Sequence, residues 1–310
     1  MIKGGFSFII TLLTVAKCLG GIQHYKTHHT SCYLKNQNSS PITLIRSFHV
    51  DFKFMGLIVD PQTLQTHLID MNSLDCQNPK AINADSRYEK LIEIATLSPY
   101  PLENDGLTHD IHSNSVYLTV DLCPSHKDFN SELKDFLIST SEILDRPLPV
   151  AFSISGGWIK EHTEELQELK QLQDQGRINI TWVNHTRHHY YDKTIANQHN
   201  FLLLENVNPL TEILDQEILM LEHGITPSVF MRFPGLVSNE QTIKLVQSLG
   251  LIPIGAKSWI AKTKNFKFGD IVLIHGNGNE SIGVTYFLNF ISKMGFNIPW
   301  QTLEQWKTTE

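Results

Sequence analysis

The chain has 310 residues, 41% of them hydrophobic, with 25 Lys and Arg against 32 Asp and Glu for a net charge of -7. That length and apolar content can bury a sizeable core, as one large domain or as one domain with a smaller appendage. The acidic balance excludes a general nucleic-acid binder, which needs a concentrated basic surface to release counterions, and leaves a small substrate or a glycan open.

In chain order, Met1-Ile2-Lys3, the apolar run Phe6 to Ala16 and the small residues Gly20 and Gly21 have the layout of a secretory signal peptide over residues 1–21. This predicts export, to a periplasm or beyond the cell. The apolar run is well short of the roughly 20 residues a helix needs to cross a bilayer, so no stable membrane span is expected. Cys18 raises the alternative of a lipoprotein, although Lys17 stands where a small residue is usual. Removing the signal leaves Cys32, Cys76 and Cys123. Two readings stand: a disulfide between Cys32 and Cys76, which share the N-terminal segment, or three free, mostly buried thiols.

Residues 22–115 look like a small β-containing N-terminal appendage, with Phe48 to Asp70 as strand, a turn at Asp60-Pro61-Gln62 and a second strand, flanked by loop-like sequence. From residue 116 to about 305 strands and helices alternate. Val116–Val120 is strand-like, Glu132–Leu144 helical, Pro149–Ser155 a strand, Trp158–Gln173 an amphipathic helix and Ile178–Val183 a strand. Then follow a helix over Leu210–His223, a short strand over Val229–Arg232, a helix over Gln241–Gly250 and a strand over Leu251–Ile254. Gly269–His275 is a strand, followed by a helix to about Lys293 and a terminal strand over Asn297–Trp300. This alternation predicts an α/β fold with a parallel sheet, open or closed into a barrel, whose chemistry sits on the loops after the strands.

Four chemically loaded segments fall at those strand ends: Asp121, the pair His185 and His189, Arg232, and His275. Two imidazoles four residues apart have the spacing of ligands to a borderline divalent ion, and open coordination positions would serve metal-assisted hydrolysis of an acyl group. The helical His-Glu-x-x-His of metalloproteases is excluded, because Thr186 stands where the Glu would be and the pair follows a strand.

From about Val116 to Trp300 the sequence resembles the polysaccharide deacetylases of the NodB homology (carbohydrate esterase family 4) type. Thr119-Val120-Asp121-Leu122-Cys123-Pro124 corresponds to Thr-Phe-Asp-Asp-Gly-Pro, and His185-Thr186-x-x-His189 to His-Ser/Thr-x-x-His. Arg232-Phe233-Pro234 corresponds to Arg-x-Pro, with Gly235 one place early, and Leu273-Ile274-His275 to Leu-x-His. The resemblance implies a distorted (β/α) barrel and an enzyme that removes acetyl groups from an N-acetylated glycan such as peptidoglycan or a chitin-like polymer. The implied cofactor is a divalent metal, zinc first, with cobalt, nickel or manganese as alternatives. On this basis Asp121 is the general base, His185 and His189 are metal ligands, Arg232 orients the carboxylate and His275 is the general acid. Thr186 would support the ligand loop through its hydroxyl, while Trp259 and Pro234 would contact substrate.

Two departures bear on the chemistry. The family's second Asp, a metal ligand, is here Leu122. Asp121 could take over as ligand, Asp192 or Asp110 could enter the shell, or the metal could be weak or absent. Lys257-Ser258-Trp259 stands where the family carries an acidic residue, so a carboxylate partner for His275 is missing from that position. The alternative implied by both changes is a degenerate, non-catalytic domain that binds glycan or a cell-envelope partner.

Overall fold

The computed structural model describes residues 21–35, 40–76, 83–97, 100, 103–295 and 297–308. The predicted signal peptide, with Cys18, lies outside them apart from Gly21. The first described elements are β1 (Gln23–Leu34), β2 (Ile42–Val50), β3 (Lys53–Val59), β4 (Thr66–Asp70) and β5 (Leu74–Asp75). They form one antiparallel sheet in the order β4-β3-β2-β1-β5. The expected turn is present, with the Asp60 carboxylate accepting from the amides of Gln62 and Thr63. The sheet is larger than predicted because β2 is buried on both faces and so lacks the clean polar alternation that marks a half-exposed strand. A disulfide joins Cys32 to Cys76, which settles the two cysteine readings.

Helix α1 (Arg87–Ala95) occupies sequence expected to be loop-like. Ser86 caps it by accepting from the Glu89 amide, and Tyr88, Leu91, Ile92 and Ala95 form its buried face. The alternating half then runs β6 (Tyr117–Leu122), α2 (Ser131–Leu144), β7 (Leu148–Ile154), α3 (Gly156–Glu161), α4 (Thr163–Asp174), β8 (Ile178–Asn184) and α5 (Pro209–Glu222). It continues with β9 (Phe230–Met231), α6 (Glu240–Ser248), β10 (Ile252–Pro253), β11 (Ser258–Trp259), α7 (Ile260–Thr263), β12 (Ile271–His275) and α8 (Ser281–Met294). The seven strands pair in parallel in the order β10-β9-β8-β7-β6-β12-β11.

Two expectations need correction. The helix predicted over Trp158–Gln173 is two helices, because His162 leaves helical geometry between α3 and α4 and turns its ring to the Ser125 carbonyl and Glu165. The terminal strand over Asn297–Trp300 reduces to a single bridge between Val116 and Trp300.

Alternation along β6 divides the core. Leu118, Val120 and Leu122 point to one face, where they pack with Phe152 and Ile154 of β7, Leu133 and Phe136 of α2, and Phe287 of α8. Tyr117 faces the other way, with Val183, Phe230 and Leu273 from neighbouring strands, against Ile45, Leu57 and Val59 of the antiparallel sheet and Tyr88 and Leu91 of α1. The two sheets therefore share one apolar core. A buried ion pair ties them as well: the Arg46 guanidinium donates to both Glu217 oxygens on α5, at 2.7 and 2.9 Å, and Tyr25 donates to the same carboxylate. Residues 103–110 run across the gap between β10 and β12. The Leu107 amide bonds to the Pro253 carbonyl, Gly255 to the Leu107 carbonyl, and Ile271 to the Thr108 carbonyl. The parallel sheet curls, and this segment stitches its seam.

Candidate metal and catalytic site

Asp121 lies near the carboxyl end of β6, His275 is its register partner at the end of β12, and His185 and Arg232 directly follow β8 and β9. All four face one end of the curled sheet. Asp121 is buried, and its Oδ1 accepts from Arg232 at 2.7 Å. Arg232 is 0% exposed and also donates to the Thr119 hydroxyl and the Gly255 carbonyl. Burial alone would raise the Asp121 carboxyl, but Arg232, His185 and His275 outweigh it and hold it below the usual carboxylate range. The second oxygen, Oδ2, stands 3.9 Å from His185 Nε2.

The histidine run is sorted by its surroundings. The His185 Nδ1 donates to the Arg232 carbonyl at 2.9 Å, so that in the neutral ring Nε2 is the nitrogen that carries the lone pair and faces the site. His188 turns outward, its amide and Nδ1 both held by Glu212 of α5. His189 turns inward again, its ring edge-on to His185 with centroids 4.7 Å apart. Thr186 and His189 both adopt left-handed backbone conformations (φ 67° and 52°), uncommon for residues with a side chain. The backbone holds this loop: the Thr186 amide donates to the Asn184 side chain and its carbonyl accepts from Gly156. The expected contribution of the Thr186 hydroxyl is not found, since its oxygen is buried with no protein partner among the described residues. Gly235 has φ 61°, and a Cβ there would collide with the Phe201 ring. Phe201 in turn packs edge-on against His189, so the glycine after Arg232-Phe233-Pro234 lets the loop that carries His185 and His189 close. Pro234 is buried and opens the 3-10 turn Pro234–Leu236.

Leu122 points away from this site into the helix-covered core, and Cys123 returns to the site face. Its sulfur lies 3.5 Å from His185 Nε2. Among the described residues, Cys123, His185 and His189 are the group whose donor atoms lie within 4.8 Å of one another. The His189 Nε2 is buried with no partner. An orphaned imidazole nitrogen, a tautomer-fixed histidine and a thiol on one small space fit a divalent ion. Asn277, fully buried, donates to the Cys123 carbonyl at 2.6 Å and fixes the strand end. Burial would raise the Cys123 thiol, but His189, His185 and His275 bring it well below its usual value. The other carboxylates weighed as ligands lie elsewhere. Asp192 holds Thr194 on the exposed loop, and Asp110 accepts from Tyr117, His112 and Lys307 near the opposite end of β6.

His275 does have an acidic partner. The Glu280 carboxylate, just before α8, accepts from His275 Nδ1 at 3.0 Å and from the Trp259 indole at 2.6 Å. Burial works against charge on His275, yet hydrogen bonds with Cys123 and Glu280 push its pKa up to about 10. Trp259 lies beside His275, and the Lys262 ammonium sits 3.4 Å from its ring centroid, covering one aromatic face. Sequence reasoning missed Cys123 as a donor, together with Asn277 and Glu280. Period-two alternation from Asp121 was the available signal for Cys123, while Glu280 depends on the turn into α8.

No family model matches the chain. Among solved structures it is similar to a family 4 carbohydrate esterase from Bacillus anthracis, at 17% identity over 64% of this chain and 85% of that one, with a TM-score of 0.43. It is also similar to PdaA of Bacillus subtilis, a family 4 carbohydrate esterase, at 16% identity over 74% and 91% of the two chains and a TM-score of 0.45. A third likeness is to BA3943, a CE4 family pseudoenzyme from Bacillus anthracis, at 16% identity over 68% and 69% and a TM-score of 0.44. The likenesses are distant, and the chemistry of this site rests on its own donor atoms.

Proposed function

We propose that this chain is an exported, metal-dependent deacetylase that hydrolyses acetamido carbon–nitrogen bonds of an N-acetylated glycan, such as peptidoglycan or a chitin-like polymer. The observation that carries this reading is the convergence, at one end of the sheet, of a carboxylate fixed by a buried arginine, a cluster of metal-binding donors and an imidazole fixed by a carboxylate. That set is what acyl hydrolysis needs: a base, an electrophilic centre and an acid. A divalent ion held by His185 and His189 would supply Lewis acidity, polarising the acetyl carbonyl and making water a competent nucleophile near neutral pH. Arg232 keeps Asp121 ionised and directs Oδ2 to accept the proton of the attacking water. Glu280 holds the Nδ1 of His275, so that Nε2 can deliver a proton to the leaving amine nitrogen. A positioned acid or base of this kind contributes about 10²- to 10⁴-fold in rate.

Export is supported by the Cys32–Cys76 disulfide, which belongs to an oxidising compartment. No helix among the described residues is long and apolar enough to cross a membrane. The test is acetate release from N-acetylated glycans by the zinc-loaded chain. Release that vanishes in His185→Ala and on chelation is expected; unchanged release without metal refutes the reading. The absence of a carboxylate at residue 122 favours a second reading, a non-catalytic glycan binder. Asp121-dependent acetate release would exclude it.

A further inference from the structure

We propose that the Cys123 thiolate is the third protein ligand of the His185/His189 centre. Sulfur at residue 123 would do there what the resembled family does with a carboxylate one residue earlier, and it would favour a borderline-soft ion such as zinc or cobalt over magnesium, calcium or manganese. The inference rests on the metal-dependent reading above and gives that site its ligand set.

Four observations converge on it. The first is spacing. Zinc bonds of about 2.3 Å to sulfur and about 2.0–2.1 Å to nitrogen, set at a tetrahedral angle, separate the two donors by about 3.6 Å. The Cys123 sulfur and His185 Nε2 stand 3.5 Å apart. The second is protonation. With the His185 Nδ1 donating to the Arg232 carbonyl, the neutral ring has its lone pair on Nε2, the orientation of a ligating histidine whose other nitrogen is taken by a carbonyl. The third is the unpartnered His189 Nε2. Leaving a buried polar group unpaired costs about 1–3 kcal/mol, and an ion shared with Cys123 removes that cost. The fourth is exclusion. Asp121 is committed to Arg232 and stands outside the donor group, while Leu122 is turned into the apolar core. A thiolate carries the same single negative charge as the carboxylate it replaces, so the charge of the centre is kept while its hardness changes. Three protein ligands leave coordination positions open, the arrangement of catalytic rather than structural zinc.

The test is anaerobic titration of the reduced-thiol, disulfide-intact full chain with cobalt(II). A sulfur-to-cobalt charge-transfer band in the near ultraviolet should grow and saturate at about one equivalent. The band should disappear in Cys123→Ser and in Cys123→Asp, the second of which should still bind cobalt through its carboxylate. Magnesium and calcium should fail to displace the cobalt, and zinc should bleach the band. Cobalt bound without the band, or a band that survives in Cys123→Ser, overturns the assignment and leaves the deacetylase reading standing. No cobalt bound at all overturns the assignment too. A band that behaves as expected in a zinc-replete protein releasing no acetate keeps the ligand and removes the deacetylase reading instead.

Discussion

Placing at residue 122 the carboxylate of the polysaccharide deacetylase pattern that this sequence resembles, by Leu122→Asp, should damage the protein rather than strengthen the proposed metal site. Leu122 is 0% exposed and lies among Val120, Phe152, Ile154 and Phe129 beneath α2 and α8. Losing the buried side chain costs about 2–5 kcal/mol by comparison with Leu→Ala changes. The new carboxyl adds to that cost, because full burial can raise a carboxyl pKa by about 3–5 units, each worth about 1.4 kcal/mol. At neutral pH the ionisation cost is about 4 kcal/mol, so against a total stability of about 5–15 kcal/mol a combined loss of about 6–9 kcal/mol leaves a marginal fold at best. The sign with pH follows from the raised pKa. Between the unfolded value near 3.9 and the higher folded value the folded chain binds the extra proton, so stability falls as pH rises. Urea unfolding should therefore show a smaller deficit relative to wild type at pH 5 than at pH 8, whereas Leu122→Ala should show a deficit independent of pH. Zinc affinity, measured by competition with a chromophoric chelator, should not improve. Wild-type stability combined with tighter zinc binding would refute the strand phase that places residue 122 in the core and residue 123 in the site.

Glu280→Gln should lower the His275 pKa and move the alkaline limb of activity to lower pH; an unmoved limb would count against Glu280 as its partner. Arg46→Ala strands the Glu217 charge in the core between the two sheets, at a cost of about 3–5 kcal/mol. For 310 residues this lowers Tm by roughly 5–8 °C, and Arg46→Met combined with Glu217→Leu should recover most of it in calorimetry. Reducing the Cys32–Cys76 bond, which spans 44 residues, should cost up to about 4 kcal/mol in urea unfolding while leaving metal content unchanged.

The parallel strands and most of the helices over them were readable from the sequence because a sheet covered on both faces writes short apolar runs, and its helices write a 3.6-residue period. Asp121, His185, His189, Arg232 and His275 were readable as a set because each ends or follows such a run. The N-terminal sheet is larger than the sequence suggests because Arg46 interrupts the apolar face of β2 and Ile45 its polar one, which blurs the period-two pattern. Helix α1 carried its own signature, Ser86 three residues before Glu89 and an apolar face at 88, 91, 92 and 95, but it is short and set in polar sequence. Cys123 is legible only through strand phase, since two residues along a strand return to the face of Asp121. Glu280 and Asn277 reach the site through turns whose paths depend on tertiary packing.

The seam made by residues 103–110 also bears on the order of folding. These residues are synthesised early, yet the carbonyls and amides they bond belong to Pro253, Gly255 and Ile271, which leave the ribosome much later. Until β10 and β12 exist, the segment has no strand to join, and once they exist the outer edge of β10 and the start of β12, ahead of its pairing with β11, stay unpaired until it docks. Closure so non-local is slow and prolongs the exposure of sticky strand edges.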